Sequence, residues 1–364
     1  LRRRSRLMHA IEQAAQRAIA AAGMWFEPAG LEALGNGHIH QTYLLSDKKN
    51  AAQRYVLQRI NSSVYQNIPL LMQQTQTVLA TLTADAEYCS AYQVAPLVAA
   101  KDGQLLHTQN DDGGVHCWRL WHFVEGSITC DPPSQRTQIW QAARAFGAYQ
   151  RALAVLSPAA LQPTISGFLH MPSYLDQYDK ALADCSQVVR QEVSQCLSVV
   201  EAQRHWPESL NSPNAMIHGD CKINNVLFDA SGETAIAVID LDNNMYGHWA
   251  WDFGDLVRSV AFSRGGVDTA DYRACASGFV AGRGAFEVQR ELYSVAPAYL
   301  AFMLGLRFVT DHMNGDRYFS VPNRGDNLRR AAEQFELLRQ FQLHAQAFTE
   351  VAEELAAEVS AKHV

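Results

Sequence analysis

The sequence predicts an α+β protein with a small β-rich N-terminal lobe and a larger, mainly helical C-terminal lobe. A length of 364 residues suits two lobes of ordinary size. Strand-like runs dominate before Gly126, and long helical periods dominate after it. We predict a leading segment over residues 1–23, a first lobe over 24–123, a second lobe over 124–348 and a tail over 349–364.

Composition excludes several classes of protein. Hydrophobic residues make up 48% and charged residues 18% of the chain, which predicts a sizeable core and excludes global disorder. A net charge of -7 argues against nucleic acid as the main partner. No run approaches the roughly 18–20 consecutive apolar residues of a membrane span. Seven scattered cysteines without a C-x-x-C pair indicate reduced thiols and a cytoplasmic location.

Hydrophobic periodicity predicts the elements of the first lobe. Residues 9–22 have the period of a helix, and Gly23 stands where a helix would end. A second helix is predicted over 69–82, where Pro69 suits the first turn. Turn residues bound the runs that predict strands over 42–45, 54–60, 92–97, 104–109 and 115–124.

The second lobe is predicted to be helical except for one pair of strands. That pair covers 218–228 and 235–241, on either side of a turn at 229–232. A helix begins near Asp252. Helical periods predict the remaining helices over 139–153, 172–183, 192–206, 293–312 and 327–348.

The strand pair of the second lobe carries the most informative residues. Residues 218–225 read H-G-D-C-K-I-N-N, with Asp220 five positions before Asn225. In a tight loop that leads into a strand, this spacing places a proton acceptor and an oxygen ligand on one side of a small pocket. Asp240 ends the paired strand and brings a second acid to the same place. One Asn and one Asp are enough to hold Mg²⁺ with the phosphates of ATP.

The pattern H-G-D-x-x-x-x-N, followed by two apolar residues and Asp, resembles the aminoglycoside phosphotransferase and choline kinase-like family. The resemblance implies the protein-kinase-like fold, with two lobes that enclose Mg-ATP, and phosphoryl transfer to the hydroxyl of a small molecule. It implies that Asp220 is the catalytic base, Asn225 a metal ligand and Asp240 the principal metal ligand. Lys222, close behind the base, is expected to offset charge on the transferred phosphoryl group.

Two more residues are predicted to support the catalytic loop. His218 opens the loop, and Asp252 stands at the start of a helix, where family members carry an Asp that braces the loop. The letters D-F-G at 252–254 also match the protein-kinase metal motif, but the strand-then-Asp context belongs to Asp240. Capping of the helix N-terminus is the alternative role of Asp252.

A glycine turn and the strand that follows it contain the residues predicted to contact the nucleotide. Gly35 and Gly37 let backbone N–H groups approach a phosphate, with an ordinary hairpin turn as the alternative. The following strand stands where kinases carry a phosphate-binding Lys, which makes Arg59 the candidate cation and Gln58 the alternative by alternation. The predicted helix 69–82 lacks the Glu that usually pairs with that cation. The residues that resemble the adenine-binding hinge are Phe123 and Glu125.

Longer stretches resemble the N-acetylhexosamine 1-kinase branch of the family. This branch phosphorylates the anomeric hydroxyl of N-acetylglucosamine or N-acetylgalactosamine with ATP and Mg²⁺. The stretches are 35–43, 55–61, 222–229, 239–242 and 306–311. A sugar hydroxyl pairs well with carboxylates, guanidinium groups and imidazoles. The candidate acceptor contacts are His38, Asp242, Arg307 and Asp311.

Other interpretations remain open at this point. Arg307 and Asp311 share a helix face, so an ion pair between them is the alternative to substrate contact. Trp249 and Trp251 would suit the quaternary ammonium of choline, with core packing as the alternative. Homoserine or an aminoglycoside would also serve as acceptor. The missing helix Glu also allows a pseudokinase-like binding module. The sequence leaves the oligomeric state open.

Overall fold

A small antiparallel sheet and a larger set of helices form two units in the computed structural model, which describes residues 13–34, 39–111, 114–285, 289–319 and 321–362. Unit 1 consists of the described residues up to Leu79 together with Gln93–Gly126. Unit 2 consists of Ala80–Tyr92 and the described residues from Ser127 onwards. The predicted α+β class, with a β-rich first part and a helical second part, is confirmed.

Unit 1 is built on a five-stranded sheet with strand order β1-β2-β3-β5-β4, in which all neighbouring strands are antiparallel. Helix α1 is described over residues 13–22, and α2 runs from Ile68 to Ala84. The strands are β1 (Pro28–Ala33), β2 (Gln41–Asp47), β3 (Asn50–Ile60), β4 (His107–Asp111) and β5 (Gly114–His122).

One face of this sheet carries the hydrophobic core of unit 1. Side chains alternate along β3, so Tyr55 and Leu57 lie on the same face. They pack in one cluster with Trp118 of β5 and with Ala18 and Ala22 of α1. Because these helix side chains are small, α1 lies close against the sheet.

Unit 2 contains ten helices of the described chain and two small sheets. The sheets have the orders β6-β8-β9 and β7-β10. The strands are β6 (Ile128–Thr129), β7 (Ala215–Ile217), β8 (Val226–Phe228), β9 (Ala235–Val238) and β10 (Met245–Gly247). The helices are α3 (Ala86–Ala91), α4 (Arg136–Leu153), α5 (Met171–Asp184), α6 (Gln187–Glu192), α7 (Ser194–Gln203), α8 (Trp249–Ser263), α9 (Thr269–Arg283), α10 (Glu291–Met313), α11 (Asp326–Leu343) and α12 (Ala345–Lys362).

Three predicted elements differ clearly from those observed, and β1, α3 and α9 were not predicted. The run 92–97 is not a continuous strand: Pro96 has no N–H to donate, and Leu97 makes an isolated bridge with Trp121. The run 218–228 is a strand only from Val226, because the residues before it form a loop. The helix predicted over 327–348 ends at Leu343, and α12 continues the chain as helix through most of the predicted tail.

Helix α10 is the one described helix with the length and hydropathy of a membrane span. The sequence alone suggested no such segment, because Arg307 and other polar residues interrupt its apolar run. In the structure 78% of its most apolar window is buried inside the protein. Its apolar surface is therefore covered largely by other parts of the chain.

Candidate functional site

A loop between β7 and β8 brings the predicted catalytic residues together. It turns at Gly219, where φ is +79° and a Cβ atom would stand 2.5 Å from the carbonyl oxygen of Asn243. The loop closes with a short 3-10 helix, Ile223–Asn225. The Asn225 Nδ2 atom donates to the backbone oxygen of Asp220 at 2.9 Å and to its Oδ2 at 3.1 Å. These bonds fix the side chain of Asp220 relative to its own backbone.

The Asp220 carboxylate is held in its ionised form. Burial disfavours ionisation, but the Lys222 ammonium, the His218 ring and the Asn225 amide together lower the pKa of Asp220 below its usual range. The Lys222 Nζ atom lies 2.5 Å from Asp220 Oδ1. Burial works against the charge of Lys222, yet Asp220 and Asp255 give its pKa a net rise. A carboxylate and an ammonium group therefore stand side by side in the loop.

The β8–β9 hairpin brings Asp240 to the end of this loop. The strands pair in antiparallel register, and the Ile239 N–H donates to the backbone oxygen of Asn225 at 2.9 Å. Asp240 follows directly with a left-handed φ of +65°, a conformation that costs a non-glycine residue energy and that is enriched at functional sites. Its side chain is exposed. Asn225 and Asp240 together supply oxygen atoms of the kind that Mg²⁺ prefers.

Asp252 braces the catalytic loop from the first turn of α8. Its Oδ2 accepts a hydrogen bond from the His218 N–H at 2.8 Å, and its Oδ1 accepts one from the Gly219 N–H at 2.9 Å. Burial raises the pKa of Asp252, and its hydrogen-bond donors partly offset that rise. The alternative role of helix cap belongs to His248, whose Nδ1 accepts from the Ala250 N–H at 3.1 Å.

The His218 ring joins the catalytic loop to the strand of Asp240. The Asp220 N–H donates to His218 Nδ1 at 3.3 Å, so the ring proton lies on Nε2. Nε2 then donates to the backbone oxygen of Ile239 at 2.9 Å. The ring packs edge-on against Phe146 and Tyr149 of α4. His218 therefore ties the backbone of Asp220 to the backbone just before Asp240.

Comparison with known proteins identifies the family of the chain. Residues 30–288 match the model of the phosphotransferase enzyme family, APH. The chain belongs to this family. It is a phosphotransferase whose acceptor is a small-molecule hydroxyl.

Solved structures with the fold of this phosphotransferase share little sequence with it. The microcompartment-associated aminopropanol kinase is 16% identical with a TM-score of 0.61, and the match covers 92% of this chain and 98% of that one. An amicoumacin kinase in complex with AMP-PNP and Ca²⁺ is 18% identical with a TM-score of 0.57 and coverages of 90% and 93%. An aminoglycoside phosphotransferase from Alicyclobacillus acidocaldarius is 15% identical with a TM-score of 0.58 and coverages of 91% and 96%. These similarities show the fold.

On the predicted acceptor side of the phosphotransferase, Arg307 lies among four aromatic rings. Its guanidinium carbon lies 5.0 Å from the ring centre of Tyr174 and between 5.1 and 5.7 Å from the other three. The guanidinium group also donates to the Tyr318 hydroxyl at 3.3 Å. The sequence does not reveal this cluster, because its members come from separate segments. The rings are those of Phe168, Tyr174, Tyr318 and Phe319.

Asp311 has a role that differs from the predicted substrate contact. Its carboxylate accepts hydrogen bonds from the backbone N–H groups of residues 317–319 at 2.8–3.0 Å and from Asn327 Nδ2 at 3.0 Å. No ion pair between Arg307 and Asp311 is present among the described residues either. Both predicted roles therefore give way to a third: Asp311 anchors the turn that carries Tyr318.

The other predicted acceptor residues have varied positions. Asp242 is 1% exposed, so its side chain lies inside the fold next to the turn of Asp240. Trp249 and Trp251 are buried in the core, where Trp249 packs 4.6 Å from Tyr293, so this pair forms core packing and not a choline cage. His38 lies outside the described residues.

In unit 1 of the phosphotransferase, alternation along β3 separates Arg59 from Gln58. Arg59 lies on the face of Tyr55 and Leu57, where it donates to Gln41 Oε1 at 3.1 Å. Gln58 lies on the other face and accepts from Arg119 Nε at 3.0 Å and Trp121 Nε1 at 2.8 Å. Arg119 is a 1% exposed cation that was not among the predicted site residues. Its position opposite Gln58 becomes evident only from the β3–β5 register.

The predicted hinge residues contact a single arginine. The Arg54 guanidinium lies 4.2 Å from the ring centre of Phe123 and forms an ion pair with Glu125. Arg54 lowers the pKa of Glu125, chiefly through their hydrogen bonds. The glycines of the predicted phosphate turn, Gly35 and Gly37, lie outside the described residues.

Proposed function

We propose that this phosphotransferase is an ATP-dependent sugar kinase that transfers the γ-phosphoryl group to the anomeric hydroxyl of an N-acetylhexosamine. The observation that carries the kinase chemistry is the meeting of Asp220, Asn225 and Asp240 at one end of the β8–β9 hairpin. The choice of a sugar is supported by the stretches that resemble the N-acetylhexosamine 1-kinase branch and by the surroundings of Arg307.

Asp220 is the proposed base of the reaction. Because its pKa is lowered, the carboxylate is ionised at neutral pH and ready to accept the proton of an acceptor hydroxyl. Lys222 and Asn225 hold its two oxygens and limit their rotation. Phosphoryl transfer depends mainly on position and charge, so a fixed acceptor hydroxyl and a nearby ammonium group account for much of the catalysis.

Asn225 and Asp240 are the proposed ligands of Mg²⁺, which when bound would neutralise charge on the phosphates. Asn225 turns its Nδ2 atom towards Asp220, which leaves Oδ1 directed away from the base. No group of three or more His, Cys, Asp or Glu side chains converges within the described part of the chain. A site with only Asn225 and Asp240 as protein ligands fits Mg²⁺, which keeps water and phosphate oxygens beside a few protein ligands.

Arg307 is the proposed acceptor contact with the strongest support. A guanidinium group held among aromatic rings offers directed N–H donors to sugar oxygens, and the rings offer faces for the C–H side of the sugar. The same positive charge repels a cationic acceptor such as choline or an aminoglycoside. These properties favour a neutral, hydroxyl-rich acceptor. Acceptor contacts from His38 and Asp242, and a phosphate contact from Arg59, stay predictions.

An acceptor panel tests the proposed function. Release of ADP is measured with Mg-ATP and N-acetylglucosamine, N-acetylgalactosamine, glucose, choline, homoserine or kanamycin, and the product is assigned by phosphorus NMR. We expect turnover on an N-acetylhexosamine with phosphate at the anomeric oxygen. Turnover on choline, homoserine or kanamycin alone would contradict the sugar assignment. Binding of Mg-ATP without turnover on any acceptor would instead favour a binding module.

Substitution of the base tests the assignment of Asp220. We expect Asp220→Asn to lower kcat by about 10²–10⁴-fold, because the amide has nearly the same shape and cannot accept the proton. Calorimetry with Mg-AMP-PNP should show nearly unchanged binding. Asp229→Asn, an equal change in the turn of the same hairpin, is the control. Near wild-type turnover of Asp220→Asn would show that another group is the base.

A further inference from the structure

Two consecutive residues of α4, Tyr149 and Gln150, reach the two halves of the proposed site. We infer that this pair is a positioning device that sets the catalytic loop and the turn after Asp240 at a fixed separation. The inference rests on the proposed function, because that function gives Asp220 and Asp240 their roles. Neither α4 residue is expected to touch substrate.

Gln150 holds the catalytic loop through Asp252. Its Nε2 atom donates at 2.7 Å to Asp252 Oδ2, the same oxygen that accepts the His218 N–H. On its other side, Gln150 Oε1 accepts a hydrogen bond from Arg283 of α9. A guanidinium group can only donate, so Arg283 fixes the orientation of the amide and keeps the NH₂ group towards Asp252. Gln150 is 2% exposed, so water does not compete for these bonds.

Tyr149 holds the other half of the site through Asn244. Its hydroxyl donates to Asn244 Oδ1 at 2.5 Å, and Asn244 Nδ2 donates to the backbone oxygen of Leu241 at 2.6 Å. Leu241 directly follows Asp240. Burial raises the pKa of Tyr149 well above its usual value, so the phenol keeps its proton and remains a donor. The strained backbone of Asp240 is thus supported from the side of α4.

The geometry of a helix explains why the adjacent residues Tyr149 and Gln150 contact different loops. Successive side chains of an α-helix diverge by about 100°, so Tyr149 and Gln150 project in different directions from one rigid rod. The rod is itself fixed, because α9 passes so close that a Cβ at Gly147 would overlap the backbone oxygen of Phe279. A shift of α4 would therefore disturb both hydrogen-bond chains together.

Matched substitutions test the inference. Gln150→Leu removes the amide, and Gln138→Leu is its control, a buried amide of the same helix that bonds to Gly232 and Ser134 instead. Tyr149→Phe removes one hydroxyl. Its control is Tyr88→Phe, a buried hydroxyl without a hydrogen-bond partner among the described residues.

The Gln150 and Tyr149 substitutions are expected to cause different kinetic changes. Gln150→Leu should lower kcat about tenfold to a hundredfold at saturating Mg²⁺, with the Mg²⁺ concentration for half-maximal activity unchanged. Tyr149→Phe should raise that Mg²⁺ concentration about tenfold, and calorimetry with AMP-PNP should show the same shift. Both controls should retain wild-type kcat and Mg²⁺ dependence. If Tyr149 and Gln150 had only a structural role, all four substitutions would change kcat and the Mg²⁺ dependence alike.

The following results would contradict a positioning role of Tyr149 and Gln150. If the Gln150 and Tyr149 variants match their controls in kcat and in Mg²⁺ dependence, α4 does not position the site. If Gln150→Leu does not fold, Gln150→Met keeps the length of the side chain and should show the same loss of kcat, because a thioether cannot donate to Asp252. A wild-type protein without Mg²⁺-dependent AMP-PNP binding would refute the proposed function itself, and this result is distinct from the others.

Discussion

Acidic residues of this phosphotransferase differ in role because their backbone conformations and hydrogen-bond donors differ. Asp240 is exposed in a left-handed conformation at the end of a hairpin, whereas Asp252 is buried and accepts two backbone hydrogen bonds. Asp311 accepts three such bonds and anchors a turn. The same carboxylate thus serves as a candidate ligand, a brace or an anchor according to the donors that surround it.

The buried ring of His248 predicts a pH dependence of stability. It is 1% exposed, and burial lowers its pKa from 6.5 to about 4. The unfolded chain binds a proton near pH 6.5 and the folded protein only near pH 4, so the neutral ring stabilises the fold above pH 6.5. That contribution is lost as the pH falls towards 4, and the loss should reach about 2 kcal/mol at pH 5.

Denaturant unfolding at pH 8 and pH 5 measures this contribution. The comparison is with His248→Asn, which retains a side chain suited to cap α8 but does not titrate. The free energy of unfolding of the wild type should fall between the two pH values by about 2 kcal/mol more than that of the variant. Equal losses in the two proteins would show that His248 is not held neutral.

At the scale of elements, the crossing of α4 and α9 depends on glycine. A Cβ at Gly278 would overlap the backbone oxygen of Trp140, and one at Gly282 would overlap that of Arg144. Glycine is a poor helix former, and two of them in one turn of α9 weaken the isolated helix. Their presence lets two backbones touch, and this contact holds α4 where Tyr149 and Gln150 reach the site.

We predict that Gly282→Ala destabilises the protein by about 1–3 kcal/mol, because the methyl group forces α9 away from α4. The displacement of α9 should also move Arg283, which bonds to Gln150, and should therefore lower kcat. The control is Gly30→Ala, where a Cβ would meet open space and the backbone has no positive φ. Denaturant unfolding and steady-state kinetics of both variants measure the effects. A Gly282→Ala protein as stable as the wild type would mean that the helices are not in close contact.

At the scale of the whole molecule, the C-terminal helix belongs to the packed fold of unit 2. The sequence predicts residues 349–364 as a tail, yet α12 reaches Lys362, and Val351 and Leu355 within that range are buried. Phe348, just before it, stacks on Tyr272 of α9, with ring centres 3.7 Å apart. Phe348 is 0% exposed. The apolar face of α12 thus completes the helical unit.

The seven free thiols provide a test of the whole fold. Cys130, Cys196, Cys221 and Cys275 are buried, and burial raises the pKa of each, whereas Cys89 is exposed. Because the thiolate is the reactive form, the native protein should react quickly with Ellman's reagent at Cys89 and leave the four buried thiols unmodified.

In guanidinium chloride all seven thiols should react, with or without prior reduction, since no disulfide joins them. Cys89→Ser should remove the fast phase in the native protein. Rapid reaction of all seven thiols without denaturant would contradict the packing described for unit 2.

The amino-acid sequence was enough to predict the fold class and to single out the loop between β7 and β8 as the candidate site. Asp220, Asn225 and Asp240 could be recognised because they lie in one hairpin, where spacing along the chain translates directly into spacing in the structure. Amphipathic periods likewise predicted several of the long helices, among them α4 and α10. The residue spacing in the hairpin and the periodicity of the helices are both local patterns, so they can be recognised without knowledge of the fold.

Tertiary structure alone decided which residues act together over long distances. Tyr149 and Gln150 contact partners 95 and 102 positions away, and no local pattern in α4 distinguishes them from other buried residues. Arg307 and Asp311 share a helix face, yet one lies among aromatic rings and the other holds a turn. The physical reason is that burial and hydrogen-bond partners depend on which elements pack together, and these set the pKa of an acid and the orientation of an amide.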